Sequence, residues 1–170
     1  MMINLSKLIK REILVLDLNF SEKIDNISYC GKNYRLTSLV EVNGQITNID
    51  RQLYLDCNIK FSVVDSCSRC LEDVKVNIED DVKAFIVEDE DCVLEDEDTI
   101  VCNGEELDFK NIIENTFILN VPERITCDED CKGLCSSCGA NLNEEKCNCH
   151  NDEEFTDPRF SKLKDFFKND

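Results

Sequence analysis

Eight of the twelve cysteines stand in close pairs: Cys67 and Cys70, Cys127 and Cys131, Cys135 and Cys138, Cys147 and Cys149. Two thiolates a few residues apart can reach one tetrahedral ion at about 2.3 Å, so eight of them suffice for about two closed four-thiolate zinc sites. Closed sites hold shape and leave no open position for a substrate. The expected cofactor is therefore structural zinc, about two ions per chain.

How the pairs combine has two readings. Cys135-Ser136-Ser137-Cys138-Gly139 has the form of a zinc knuckle, in which a tight turn aims backbone N–H groups at the sulfurs. With Cys147 and Cys149 it makes a local site across the polar stretch 140–146, and Cys67, Cys70, Cys127 and Cys131 then form a second site. The alternative joins the two CxxC knuckles, as many zinc ribbons do, and leaves Cys127, Cys131, Cys147 and Cys149 together. The local grouping is preferred because its loop closes at smaller entropic cost. His150, beside Cys149, is either a replacement ligand or a solvated side chain, and Cys30, Cys57, Cys92 and Cys102 read as ordinary reduced cysteines.

Catalysis finds little support. His150 is the single histidine, there is no glycine-rich phosphate loop, and the first CxxC lies between two strand patterns, where a redox pair usually has a βα context. A non-enzymatic protein without a small-molecule substrate is expected. A thiol oxidoreductase, whose Cys67 or Cys135 would react with alkylating agents, and a zinc reservoir or delivery protein, which would yield metal to a weak chelator, are the alternatives.

The opening MMINLSKLIKREILVLDLNF is interrupted by Lys7, Lys10, Arg11 and Asp17 and is not a signal peptide, nor does any stretch suit a bilayer. A cytoplasmic protein without membrane attachment is expected, and a reducing cytosol favours metal over disulfides. The net charge is -18, unevenly spread: residues 1–71 hold nine Lys/Arg against eight Asp/Glu, residues 72–170 ten against twenty-nine. Such a surface repels phosphates, so a basic protein is a better partner than bare nucleic acid. The basic residues of the near-neutral N-terminal part, Lys7, Lys10, Arg11, Lys32 and Arg35, are either the positions open to nucleic-acid contact or ordinary solubilising surface.

Several elements must position the thiols. From Leu53 to Val63 every odd position is apolar, which predicts a half-buried strand with Cys57 inside. Even positions from Val74 to Ile86 repeat the pattern, interrupted at Asp80, so Cys67 and Cys70 sit at the tip of a hairpin. Glu12 to Phe20 predicts a first strand after a short amphipathic start carrying Leu5, Leu8 and Ile9. Leu36 to Ile49 predicts a strand pair or a bent strand with Asn43-Gly44 as turn or bulge. Residues 88–98, with eight acids in eleven, predict a solvated loop. Asp108 caps a helix to about Asn120, and Asp157-Pro158 starts a short terminal helix carrying Phe160, Leu163, Phe166 and Phe167. The expected fold is α+β: an antiparallel sheet of four or five strands with a covering helix, a small zinc-ribbon-like module and a short terminal helix. The expected divisions are 1–122, 123–150 and 151–170.

Cys67-Ser68-Arg69-Cys70-Leu71, the acidic loop, the helix, CKGLCSSCGANLN at 131–143, Cys147-x-Cys149 and Asp157-Pro158-Arg159 together resemble the YceD family of bacteria, the large ribosomal RNA subunit accumulation proteins. Ser136-Ser137 departs from the Pro-Lys frequent there, which changes the surface of the knuckle and none of its ligands. The resemblance implies a non-enzymatic role in accumulating 23S ribosomal RNA. Its expected partners are a large-subunit precursor or a basic ribosomal protein, with direct 23S rRNA contact possible.

Overall fold

Alternation in the sequence becomes long strands. A computed structural model describes residues 1–88 and 98–149. The elements are β1 (Met2–Asn4), α1 (Ser6–Ile9), β2 (Val15–Glu22), β3 (Asn26–Tyr29), β4 (Lys32–Leu36), β5 (Val40–Ile49), β6 (Gln52–Ser66), β7 (Asp73–Val87), β8 (Thr99–Val101), β9 (Glu106–Asp108) and α2 (Phe109–Asn120). The fold is mostly antiparallel sheet with few helices. Residues 89–97, Cys92 among them, His150 and the helix expected after Asp157 lie outside the described residues.

The axis of the molecule is the hairpin β6–β7, paired from Leu53 with Ile86 to Ser66 with Asp73. Leu53, Leu55, Cys57, Ile59, Phe61 and Val63 are all buried, as are Ile78, Ala84 and Ile86 across from them. One face is thus committed to the core, and a one-residue slip would turn every one of these side chains to water. On its other side β6 carries two strands end to end, β5 against Gln52–Lys60 and β4 against Val63 and Val64. The sheet has seven strands, with β2 outside β5, β3 outside β4 and β8 outside β7.

Three features differ from expectation. β5 is one unbroken strand, and Asn43-Gly44 is neither turn nor bulge: Gly44 pairs with Leu18 on one side and Cys57 on the other. A Cβ at Gly44 would lie 2.2 Å from the Asp56 carbonyl oxygen and 2.4 Å from Cys57 Cα, so glycine answers a close approach of strands. A further hairpin, β3–β4, turns at Cys30 and Gly31 with φ of 49° and 77°. β8 runs parallel to β7, with Phe85 opposite Thr99, so the sheet is not wholly antiparallel.

The Asp108 carboxylate accepts the Lys110 N–H at 3.0 Å and starts α2, which stops before Pro122. Its buried Phe109 meets Phe20 edge-on at 5.6 Å, and Phe117 lies 4.7 Å from the ring of Tyr34 and 6.3 Å from that of Tyr29. These rings tie α2 to β2, β3 and β4, and Leu5, Leu8, Leu107 and Ile113 complete the same core. No helix among the described residues is long and apolar enough to cross a membrane.

Candidate metal centre

The turn between β6 and β7 lifts Cys67 and Cys70 out of the sheet on a hydrogen-bonded knuckle. Cys67 N–H donates to Glu72 O at 2.7 Å and Leu71 N–H to Cys67 O at 3.0 Å. After α2 the chain returns to the same tip, where Ser68 N–H donates to Ile125 O at 2.7 Å. That return brings Cys127 and Cys131 to the knuckle, and the four sulfurs of Cys67, Cys70, Cys127 and Cys131 lie within 4.8 Å of one another. Cys67 and Cys131 sulfurs are 3.8 Å apart, those of Cys70 and Cys127 3.5 Å. A tetrahedron with bonds of about 2.3 Å has an edge of about 3.8 Å. Cys67, Cys70 and Cys131 are buried, with Val74 and Leu134 against them; Cys127 is exposed.

The surrounding donors favour sulfur anions. Cys67 Sγ accepts the N–H groups of Arg69 at 3.4 Å, Cys70 at 3.5 Å and Cys127 at 3.4 Å. Led by that of Cys70, these donors overcome burial and bring the thiol down to about 6. Asn143 Nδ2 donates to Cys131 Sγ at 3.3 Å and lowers its pKa. Cys127 moves the other way, to about 12, because Cys131 and then Cys70 face it. Four sulfurs this close cannot all ionise unaided, whereas a divalent cation among them would replace the shared protons.

The second group is local. Cys135, Cys138, Cys147 and Cys149 also bring their sulfurs within 4.8 Å. Cys135 N–H donates to Ala140 O at 2.8 Å and Gly139 N–H to Cys135 O at 2.9 Å, closing a tight turn with Gly139 at φ 75°. The N–H groups of Cys138 and Ser137 lower Cys135 to about 6, while Cys138 raises Cys149 to about 12. Two clusters of four cysteines, each able to hold a metal ion, are therefore present. Cys67 and Cys70 meet Cys127 and Cys131, and the two CxxC knuckles do not share a cluster.

Residues that sequence reasoning did not single out lock the clusters together. The Arg69 guanidinium donates to Glu129 O at 3.0 Å and Cys131 O at 2.9 Å, while Arg69 O accepts Leu134 N–H at 3.1 Å. Gly133, at φ 74°, passes so close that a Cβ there would stand 3.0 Å from Arg69 O. Asn141 Nδ2 reaches back to Glu72 at 2.8 Å, and Asn143 Oδ1 accepts Lys132 N–H at 2.7 Å. The paired asparagines of Asn141-Leu142-Asn143 and the arginine inside the CxRC were the available signals. Of the other described cysteines, Cys30 is exposed in its turn, whereas Cys57 and Cys102 are buried. Among the basic residues named for RNA, Lys10 pairs with Glu105, and Lys32 with Asp65.

The profile of the family described as "Large ribosomal RNA subunit accumulation protein YceD" matches residues 55–167, more than half of the chain and all eight clustered cysteines. The chain belongs to the YceD family. Among similar proteins, the "Large ribosomal RNA subunit accumulation protein YCED homolog 1, chloroplastic" of Arabidopsis thaliana is 41% identical over 49 residues, covering 29% of this chain and 15% of that protein. An uncharacterized Mycobacterium tuberculosis protein is 25% identical over 129 residues, 74% of this chain and 61% of its own. YlbN, an uncharacterized protein of Bacillus subtilis, is 24% identical over 152 residues, 87% and 86% of the two chains. The chain thus spans less than two thirds of the first two of these relatives. No solved structure matches this YceD-family chain.

Proposed function

We propose that this protein is a non-enzymatic, cytoplasmic factor that supports accumulation of 23S ribosomal RNA during large-subunit assembly, and that structural zinc holds its binding surfaces in place. Membership of a family named for large ribosomal RNA subunit accumulation carries the reading, because the match spans the clustered cysteines. Cys67, Cys70, Cys127 and Cys131 ligate one zinc ion; Cys135, Cys138, Cys147 and Cys149 ligate another. Four-thiolate spheres of this kind leave no coordination position for a substrate, which suits a scaffold.

Residues 1–122 are then a sheet domain covered by α2, residues 123–150 a zinc-ribbon-like module, and residues 151–170 a helical tail. The first zinc ion joins the first two, since its ligands come from both. The partner is a basic ribosomal protein, free or on a large-subunit precursor, because a chain of net charge -18 attracts cations and repels RNA phosphate. Ion pairing of Lys10 and Lys32 supports this choice, since it removes two of the cations available to RNA. The test is the ratio of 23S to 16S ribosomal RNA in cells that lack the protein. A lowered ratio restored by the intact chain is expected, and an unchanged ratio would overturn the proposal.

A further inference from the structure

Opposite the β2 edge of the sheet, α2 and the strands β7 and β8 enclose a groove of about 430 Å³. Its lining combines Val82, Ala84, Ile100 and Ile112 with Asp80 and Asp98, whereas Asp81, next along β7, turns its carboxylate to the other face of the sheet, toward Asn58. Leu119, at 79% exposure the most open of the large apolar side chains among the described residues, stands in the same lining, and its neighbour Ile118 is 38% exposed. These two stand exposed at the end of a helix that buries Phe109, Ile112, Ile113 and Phe117, and Leu119 lacks a partner within the described residues.

The Asp80 carboxylate is held in place by a neutral partner. Asp80 accepts from Asn120 Nδ2 at 2.8 Å, and a neutral amide orients a carboxylate without neutralising it. Among the described residues neither Asp80 nor Asp98 is in an ion pair, whereas Lys83, the cation of the lining, pairs with Asp56 at 3.9 Å. An apolar floor rimmed by carboxylates that no cation pairs is complementary to a segment that carries both Lys/Arg and an apolar anchor. It is hostile to phosphate.

We propose that this groove is the docking site for a basic segment of the partner protein, with cationic side chains over Asp80 and Asp98 and an aliphatic or aromatic residue against Leu119 and Ile112. The inference rests on the protein-partner reading above and assigns that partner a surface. It needs no metal contact, so the zinc clusters act only by keeping the fold intact.

The experiment uses the full zinc-loaded chain and a fluorescent synthetic peptide of alternating leucine and arginine, with a leucine–glutamate peptide as blank, in a salt series. Three variants are compared: Asp80→Asn with Asp98→Asn, Leu119→Ser, and Glu12→Gln with Asp17→Asn. The last makes the same change in net charge on exposed positions before and within β2. The two groove variants are expected to weaken arginine-peptide binding by about tenfold, and the control pair by less than about twofold. Equal losses in the groove and control pairs, or an unaltered Leu119→Ser, would overturn the proposal by reducing binding to overall charge. The variants are also returned to cells lacking the protein. Failure of the groove variants to restore the 23S level supports the site. Full restoration overturns the groove alone, and a 23S level that never fell overturns the reading beneath it.

Discussion

Replacing Cys67 by alanine perturbs far more than replacing Cys135. Cys67 is wholly buried, and its sulfur accepts one buried and two part-buried N–H groups, those of Cys70, Arg69 and Cys127. A buried donor left without an acceptor costs about 1–3 kcal/mol and part-buried ones less, so the three come to about 3–5 kcal/mol. If the cluster holds the proposed zinc ion, its loss adds to that figure. A domain of this kind has a total stability of about 5–15 kcal/mol. The cost also falls where β6 ends and β7 begins, at the tip of the pairing that organises the sheet. Cys135 draws its donors, the Cys138 and Ser137 N–H groups, from a turn whose Ser136, Ser137 and Cys138 are exposed, and water can replace the sulfur there. Hydrogen exchange on both metal-loaded variants should therefore show Cys67→Ala losing protection throughout β5, β6 and β7. Cys135→Ala should lose it only over about residues 133–149. Equal, global loss in both variants, or a Cys67→Ala sheet as protected as the parent, would refute the reasoning.

Three further outcomes follow from single positions. Gly44→Ala should destabilise by about 1–3 kcal/mol or more in thermal unfolding, because its Cβ meets strand backbone that cannot move aside. Asn143→Leu, which removes the donor to Cys131 Sγ, should weaken metal binding at the first cluster about 10–100-fold in a chelator competition, with the sheet still folded. Burial, and next the charges of Asp56 and Asp81, push the Cys57 thiol up to about 12, so the folded state keeps a proton that the unfolded chain releases near 9. Its contribution is complete below pH 9 and declines as pH rises toward 12, and Cys57→Ala should show a shallower alkaline fall in stability.

The parts of the fold legible in advance were those in which one physical demand repeats. β6 and β7 alternate because one face turns to the core, fully buried from Leu53 to Val63 in β6 and at Ile78, Ala84 and Ile86 in β7, and α2 announces itself by Asp108, an apolar stripe and Pro122. The β3–β4 hairpin was not read, since its strands are mostly polar and bury only Ile27 and Leu36. Asn43-Gly44 looked like a turn because that dipeptide suits one, yet glycine also serves where two strands come too close for any Cβ. The parallel β8 spans three residues, too few for a pattern. At the metal centre, spacing identified the close pairs. Loop-closure cost favoured the grouping in which Cys67 and Cys70 meet Cys127 and Cys131, as they do, but the contacts of Arg69, Gly133 and Asn143 that hold it are distant in sequence and were not legible.

Metal content tests the central claim most directly. Protein purified without chelator, analysed by elemental analysis alongside native mass spectrometry and titration of reactive thiols, should carry about two zinc ions per chain, with the eight clustered cysteines protected until a strong chelator is added. A metal content near zero, with those eight thiols freely reactive in a folded protein, would contradict the account.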